Sequence, residues 1–92
     1  MTDFAFLNNL LTWTPIAWEQ YLYWQKTDKS ILKRINLLIK DTLRNPTQGI
    51  GKPEPLKHNL SGFTSRRINE EHRLVYKIAI DSISIISCKY HY

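Results

Sequence analysis

RLVYKIAIDSISIISCKYHY, residues 73–92, is the stretch on which the fold turns. From 73 to 80 its residues alternate, with Leu74, Tyr76, Ile78 and Ile80 on one side and Arg73, Val75 and Lys77 on the other. A period of two is the mark of a strand that buries one face. Asp81-Ser82 is a turn signal and 83–90 reads as the returning strand, so the stretch is an antiparallel hairpin. A two-residue turn at Asp81-Ser82 would pair Ile80 with Ile83 and leave Arg73 and His91 on opposite faces. Ile85-Ile86 interrupts the alternation as a β-bulge does, and one bulge returns Arg73 and His91 to a common face. The closing CKYHY sets a histidine between two tyrosines. It reads as a terminal strand pinned in the core, a piece of a working site, or both.

Outward from the hairpin, 63–68 reads as the strand before it. Between lies 46–56, PTQGIGKPEPL, with three prolines and two glycines. That composition predicts a loop without regular structure, and loops carry function more often than cores do. Further upstream the period changes. Ile31, Ile35, Leu38 and Ile39 recur at helical spacing, with Thr27-Asp28 as a cap and Asn45-Pro46 as a stop. Thr14-Pro15 is a second helix start, Thr as N-cap and Pro in the first helical position. Trp13 and Trp18 flank it at the spacing of a hydrophobic staple. Ala17, Trp18, Tyr21, Leu22 and Trp24 give that helix a wide apolar face. Residues 10–13, LLTW, read as a short first strand. The order is β-α-α-β-β-β, an α+β fold with two N-terminal helices packed on a mainly antiparallel sheet.

Ninety-two residues make a single domain, 1–92. No run of eighteen apolar residues is present, which argues against a membrane span. The first residues lack the basic region and cleavage site of a signal peptide. One cysteine, Cys88, leaves no internal disulfide framework and fits a cytoplasmic protein. The net charge is +5, and all thirteen Lys and Arg residues lie between Lys26 and Lys89. A basic second half suggests a polyanionic partner, either nucleic acid or an acidic protein.

Phosphate-loop and dinucleotide motifs are absent, and three histidines with one cysteine show no metal-ligand spacing. What remains is an acid, cations and a histidine. Glu54 lies between two prolines in KPEPLK, flanked by Lys52 and Lys57. Arg66, Arg67 and Arg73 follow on the strands, and His91 comes near the end. Taken singly, each has an ordinary surface reading: a loop acid, a charged strand edge that resists aggregation, a solvated histidine. Together they match one chemical need. RNA carries its own nucleophile, the 2′-hydroxyl. Cleavage needs a base for that proton, cations for the phosphorane charge and an acid for the departing 5′-oxygen. That chemistry requires no metal or other cofactor, and nearby tyrosines could stack on a base.

YLYWQKTDK (21–29), INLLIKDT (35–42), GKPEPLKHNLSGF (51–63), SRRINEEHRLVY (65–76) and the terminal CKYHY carry a further reading. From Leu10 onward the chain resembles the Txe/YoeB family of bacterial toxins, within the RelE/ParE superfamily of toxin–antitoxin modules. The resemblance implies a RelE/ParE-like fold and a ribosome-dependent messenger-RNA endonuclease that cuts in the A site. It implies a YefM-like cognate antitoxin that inhibits the toxin, and operator DNA bound only through that complex. It leaves a homodimer open. Residue by residue, it makes Glu54 the general base, Arg73 the phosphate stabiliser and His91 the general acid. Lys57 and Tyr92 match further active-site positions, and Arg67 a position near the RNA. Lys52 and Arg66 are expected in support. Two positions depart from the family pattern. Thr64 stands where Trp is common and Ile50 where Lys is common. Residues 1–9 read as an N-terminal extension. The rival reading is a non-catalytic toxin or RNA-binding module that inhibits by occupancy alone.

Overall fold

A computed structural model describes residues 10–90. The expectations for residues 1–9, His91 and Tyr92 lie outside the described residues. The element order is β1 (Leu10–Trp13), α1 (Pro15–Thr27), α2 (Lys29–Arg44), β2 (Glu54–Pro55), β3 (Phe63–Arg67), β4 (Arg73–Ile78) and β5 (Ser82–Ser87), with a 3₁₀ turn at His58–Leu60. The five strands form one sheet in the order β1-β5-β4-β3-β2. β1 runs parallel to β5, and the other pairings are antiparallel.

Both helices start where their caps predict. The Thr14 hydroxyl accepts the Ala17 N–H, with Pro15 in the first turn. Trp13 and Trp18 meet edge to face with ring centroids 5.6 Å apart. Asp28 Oδ1 accepts from Ser30 and Ile31 at the start of α2. Both helices pack on one face of the sheet. Ala17, Trp24, Ile35, Leu38 and Ile39 meet Leu74, Tyr76, Ile83, Ile85 and Cys88 in the core. Trp18, placed on the apolar face by its spacing, stays 44% exposed. It stacks on Tyr21 instead of entering that core.

The hairpin differs from its sequence reading in one register. Ile78 pairs with Ile83, and Ala79 N–H bonds to Ser82 O at 2.9 Å. The reversal therefore falls at Ile80-Asp81, not at Asp81-Ser82. Ile80 is fully exposed at the tip. The bulge is present. Tyr76 pairs with Ile85 and Val75 with Ser87, so Ile86 is the extra residue. Its carbonyl is not idle, since it accepts the Thr14 hydroxyl at 2.9 Å. The bulge moves Cys88 onto the helix side, where it is fully buried beside Ala17.

A second difference lies in the 46–56 segment. It was expected to have no regular structure, yet Glu54–Pro55 pairs with Ser65 and Thr64 as an edge strand. Pro55 is tolerated there because an edge strand has one side without partners. The observed order is therefore β-α-α-β-β-β-β. The loop before β2 needs its glycines. Gly51 has φ +80°, and a Cβ there would lie 2.8 Å from Leu38 and 3.1 Å from Arg66.

Candidate active site

Residues directly opposite in paired strands share a face of the sheet. Glu54 lies opposite Ser65, Ser65 opposite Val75, and Val75 opposite Ser87. One row thus crosses four strands on the face away from the helices. Arg67 and Arg73 form the next pair on that face. Ser65 and Val75 are buried as its floor, and Glu54 and Arg67 are exposed around it. Neighbouring strands lie about 4.8 Å apart, so Glu54 and Arg73 stand on backbones roughly 10 Å apart across the sheet.

Two like charges directly opposite each other repel unless an anion sits between them. Among the described residues neither Arg67 nor Arg73 makes an ion pair. Arg73 is oriented from behind, because its Nη1 donates to Asn69 O at 2.7 Å and His72 O at 3.1 Å. Those carbonyls belong to a tight turn held by Asn69 Oδ1, which accepts from Glu71 and His72. Arg67 is fixed through its backbone: its N–H donates to Gly51 O at 2.7 Å, and its carbonyl accepts from Arg34. Glu54 also makes no ion pair among the described residues. Among the described residues the face therefore presents one acid and two cations that make no ion pair.

The other expected residues divide. Lys52 and Lys57 are exposed on either side of Glu54, Lys52 in a left-handed conformation at φ 53°. Arg66 is a correction. It was expected to support RNA binding, but it is 0% exposed on the helix side of the sheet. All five of its N–H donors are engaged. They reach Tyr76 Oη at 3.0 Å, Asp41 Oδ2 at 2.7 Å, and the carbonyls of Ile50, Asn45 and Gln48 at 3.1, 2.6 and 3.0 Å. Arg66 folds the loop that leads to Glu54. One signal for this was in the sequence: adjacent strand residues point to opposite faces, so Arg66 and Arg67 never shared one. The Asp41 carboxyl is held below its usual range by the Ile50 N–H and then by the Arg66 guanidinium.

His72, which sequence reasoning left without a task, is buried and accepts the Tyr90 N–H on Nδ1 at 2.7 Å. Trp24 donates its indole N–H to Cys88 O, and Gln20 accepts the Cys88 N–H. The segment leading to His91 is held at Cys88 and Tyr90, but not as the terminal strand that was expected over 83–90: β5 ends at Ser87, and Tyr90 has φ 65°. Cys88 itself is no nucleophile, since burial pushes its thiol up to about 12. The described residues contain no group of three His, Cys, Asp or Glu able to hold a metal.

Two helices on one face of a small mixed sheet, with the other face open and basic, define a class. This is the RelE/ParE-like α+β fold. The particular family follows from residues 13–92, which match the model of the YoeB-like toxin of bacterial type II toxin–antitoxin systems. The chain belongs to that family. It is 66% identical to the toxin YoeB of Escherichia coli K12 over 82 residues, spanning 89% of this chain and 98% of that one. The structure of the YoeB dimer from Staphylococcus aureus matches at TM-score 0.85 and 53% identity, covering 92% of this chain and 99% of that one. A Staphylococcus aureus YoeB–YefM complex matches at TM-score 0.83 and 54% identity, covering 89% and 95%.

Proposed function

We propose that the protein is the toxin of its module and acts as a ribosome-dependent messenger-RNA endonuclease in the cytoplasm. The observation that carries this reading is the sheet face away from the helices, shared by Glu54, Arg67 and Arg73, where two opposed cations make no ion pair among the described residues. A scissile phosphate supplies that anion. Glu54 takes the proton of the 2′-hydroxyl, whose oxygen attacks phosphorus. Arg73, with Arg67 and Lys57, stabilises the charge on the equatorial oxygens. The bond to the 5′-oxygen breaks, and His91 gives that oxygen its proton. Lys52 and Tyr92 complete the RNA contacts. The products are a 2′,3′-cyclic phosphate and a 5′-hydroxyl. The nucleophile is internal to the RNA, so no metal is needed to generate one.

A YefM-like antitoxin is the inhibitor on this reading, supported by the YoeB–YefM complex of the staphylococcal relative. Acidic residues on it would meet the same basic face, and operator DNA would be bound through the complex. The staphylococcal YoeB dimer supports a homodimer.

The test is cell-free translation followed by primer extension on the message, with wild type beside His91→Gln and Glu54→Gln. Cuts within A-site codons of translated message only are expected. Each substitution should slow them by about 100-fold or more. Product ends should carry a 5′-hydroxyl, and 5′-phosphate ends would refute the scheme. Translation arrest with intact message, retained in both variants, would establish the occupancy reading in its place.

A further inference from the structure

We propose that Tyr23, Lys89 and Tyr90 form a stacking site for unpaired nucleotides of the bound RNA, beside the face that carries Glu54 and Arg73. The inference rests on the nuclease reading for its ligand and deepens it.

β5 ends at Ser87, and the chain then runs against α1, where Trp24 donates to Cys88 O and Lys89 reaches Tyr23. The Lys89 ammonium lies 3.9 Å from the centroid of the Tyr23 ring and 4.8 Å from that of Tyr90. Both distances are within reach of a cation–π attraction. Among the described residues the ammonium makes no ion pair. Neither ring joins the core: Tyr23 is 44% exposed and Tyr90 55%. Bases stack on exposed aromatic faces, and a phosphate meets a cation held between them. An acidic peptide would use the cation but not both rings, so a single strand of RNA is the better fit.

The rings are held in place before any ligand arrives. Tyr90 has φ 65°, a region that aromatic residues seldom occupy. Its N–H donates to His72 Nδ1 at 2.7 Å, and its carbonyl accepts the Arg73 N–H at 3.2 Å. A fixed backbone that carries an exposed ring is pre-organised for binding. Tyr23 is fixed by α1 and meets Trp24 edge to face, with centroids 5.1 Å apart. The bond from Arg73 also sets the Tyr90 backbone beside that of the proposed phosphate stabiliser. On α1 the surface continues into a groove of about 330 Å³ lined by Glu19, Leu22, Tyr23, Gln25 and Lys26. Glu19 offsets Lys26 there, so the groove suits an uncharged base and leaves the phosphate to Lys89.

The probe is a 2′-O-methylated hexauridylate, which lacks the nucleophile and cannot be cut. Fluorescence anisotropy reads its binding to the isolated toxin for wild type, Tyr23→Phe, Tyr23→Ser and Lys89→Met. Tyr23→Ser should lose affinity on the order of tenfold, while Tyr23→Phe keeps the ring and should stay within about twofold. Lys89→Met should reduce the magnitude of the salt slope by about 0.7. Circular dichroism checks folding. If Tyr23→Ser does not fold, proton NMR of the wild type decides: the Tyr23 ring signals should move as the oligonucleotide is added. Unchanged affinity in folded Tyr23→Ser, or Tyr23 ring signals that stay still, overturns the stacking site. Full RNA affinity in Tyr23→Ser with lost binding of an acidic antitoxin peptide assigns the surface to a protein and overturns it as well. A wild type that leaves translated message intact, yet binds the oligonucleotide through Tyr23, overturns the nuclease reading and supports the stacking site.

Discussion

Arg66 shows how much a single residue can hold. Its guanidinium satisfies three loop carbonyls, a tyrosine hydroxyl and a carboxylate, and none of it reaches solvent. Replacing it with Met would take the guanidinium from the carbonyls of Ile50, Asn45 and Gln48 and leave Asp41 only the Ile50 N–H. Leaving a buried acceptor without its partner costs about 1–3 kcal/mol. The Asp41 end can be tested by pH. Its folded pKa lies below the ordinary carboxyl value of 3.8, through the Ile50 N–H and then Arg66. The carboxylate therefore adds stability that is complete above the unfolded value and is lost as pH falls through the folded one. Asp41→Asn should be less stable than wild type at pH 7, and the gap should close below pH 3.8. Urea unfolding between pH 7 and 2.5 measures it. A gap constant with pH would remove the charge from the account.

At the scale of elements, the bulge in β5 does the most. It joins the α1 cap to the hairpin, because Thr14 accepts from Ala17 and donates to Ile86 O. Deleting Ile86 would let the ladder run on unbroken, with Ser87 still opposite Val75 and Cys88 still on the helix side, and would remove the carbonyl that accepts the Thr14 hydroxyl. The tie between the α1 cap and the hairpin would go with it. The expected outcome is a lowered melting temperature. Ile86→Ala keeps the residue count and should cost only about 1 kcal/mol. Thermal melts of the two variants separate the bulge from the side chain, and equal melts would contradict the argument. The bulge was legible in the sequence because Ile85-Ile86 breaks a regular alternation. The turn five residues earlier was not. Ile80-Asp81 carries no Gly or Asn to mark it, and its position follows from the pairing of Ile78 with Ile83.

At the scale of the whole molecule, charge separates from structure. Among the described residues the one buried cation with a counter-ion, Arg66, belongs to the fold, while Arg67, Arg73, Lys52 and Lys57 are left around Glu54. If those four meet phosphates, ribosome affinity should fall with salt. A slope near −3 in log affinity against log salt is expected, at roughly −0.7 per contact with single-stranded RNA. Neutralising Arg67 and Lys57 together should reduce its magnitude by about 1.4. Binding titrations between 50 and 200 mM salt, both about the physiological range, read this directly. An affinity indifferent to salt would rule these cations out as phosphate contacts.

The sequence by itself determined the local features: both helix caps, the Trp13–Trp18 staple, the buried stripe of α2, the hairpin with its bulge, and the acid and cations that make the candidate site. Each of these depends on residues within a few positions of one another, so propensity, capping and periodicity suffice to read them. Only the tertiary structure decided the rest. It turned Arg66 inward and left Arg67 outward, made an edge strand of Glu54–Pro55, set β1 parallel to β5, and gave His72 the Tyr90 amide. Those outcomes depend on which strand lies beside which, and on buried donors finding acceptors up to dozens of residues away. No local pattern encodes such a choice; the requirement that every buried polar group be paired does.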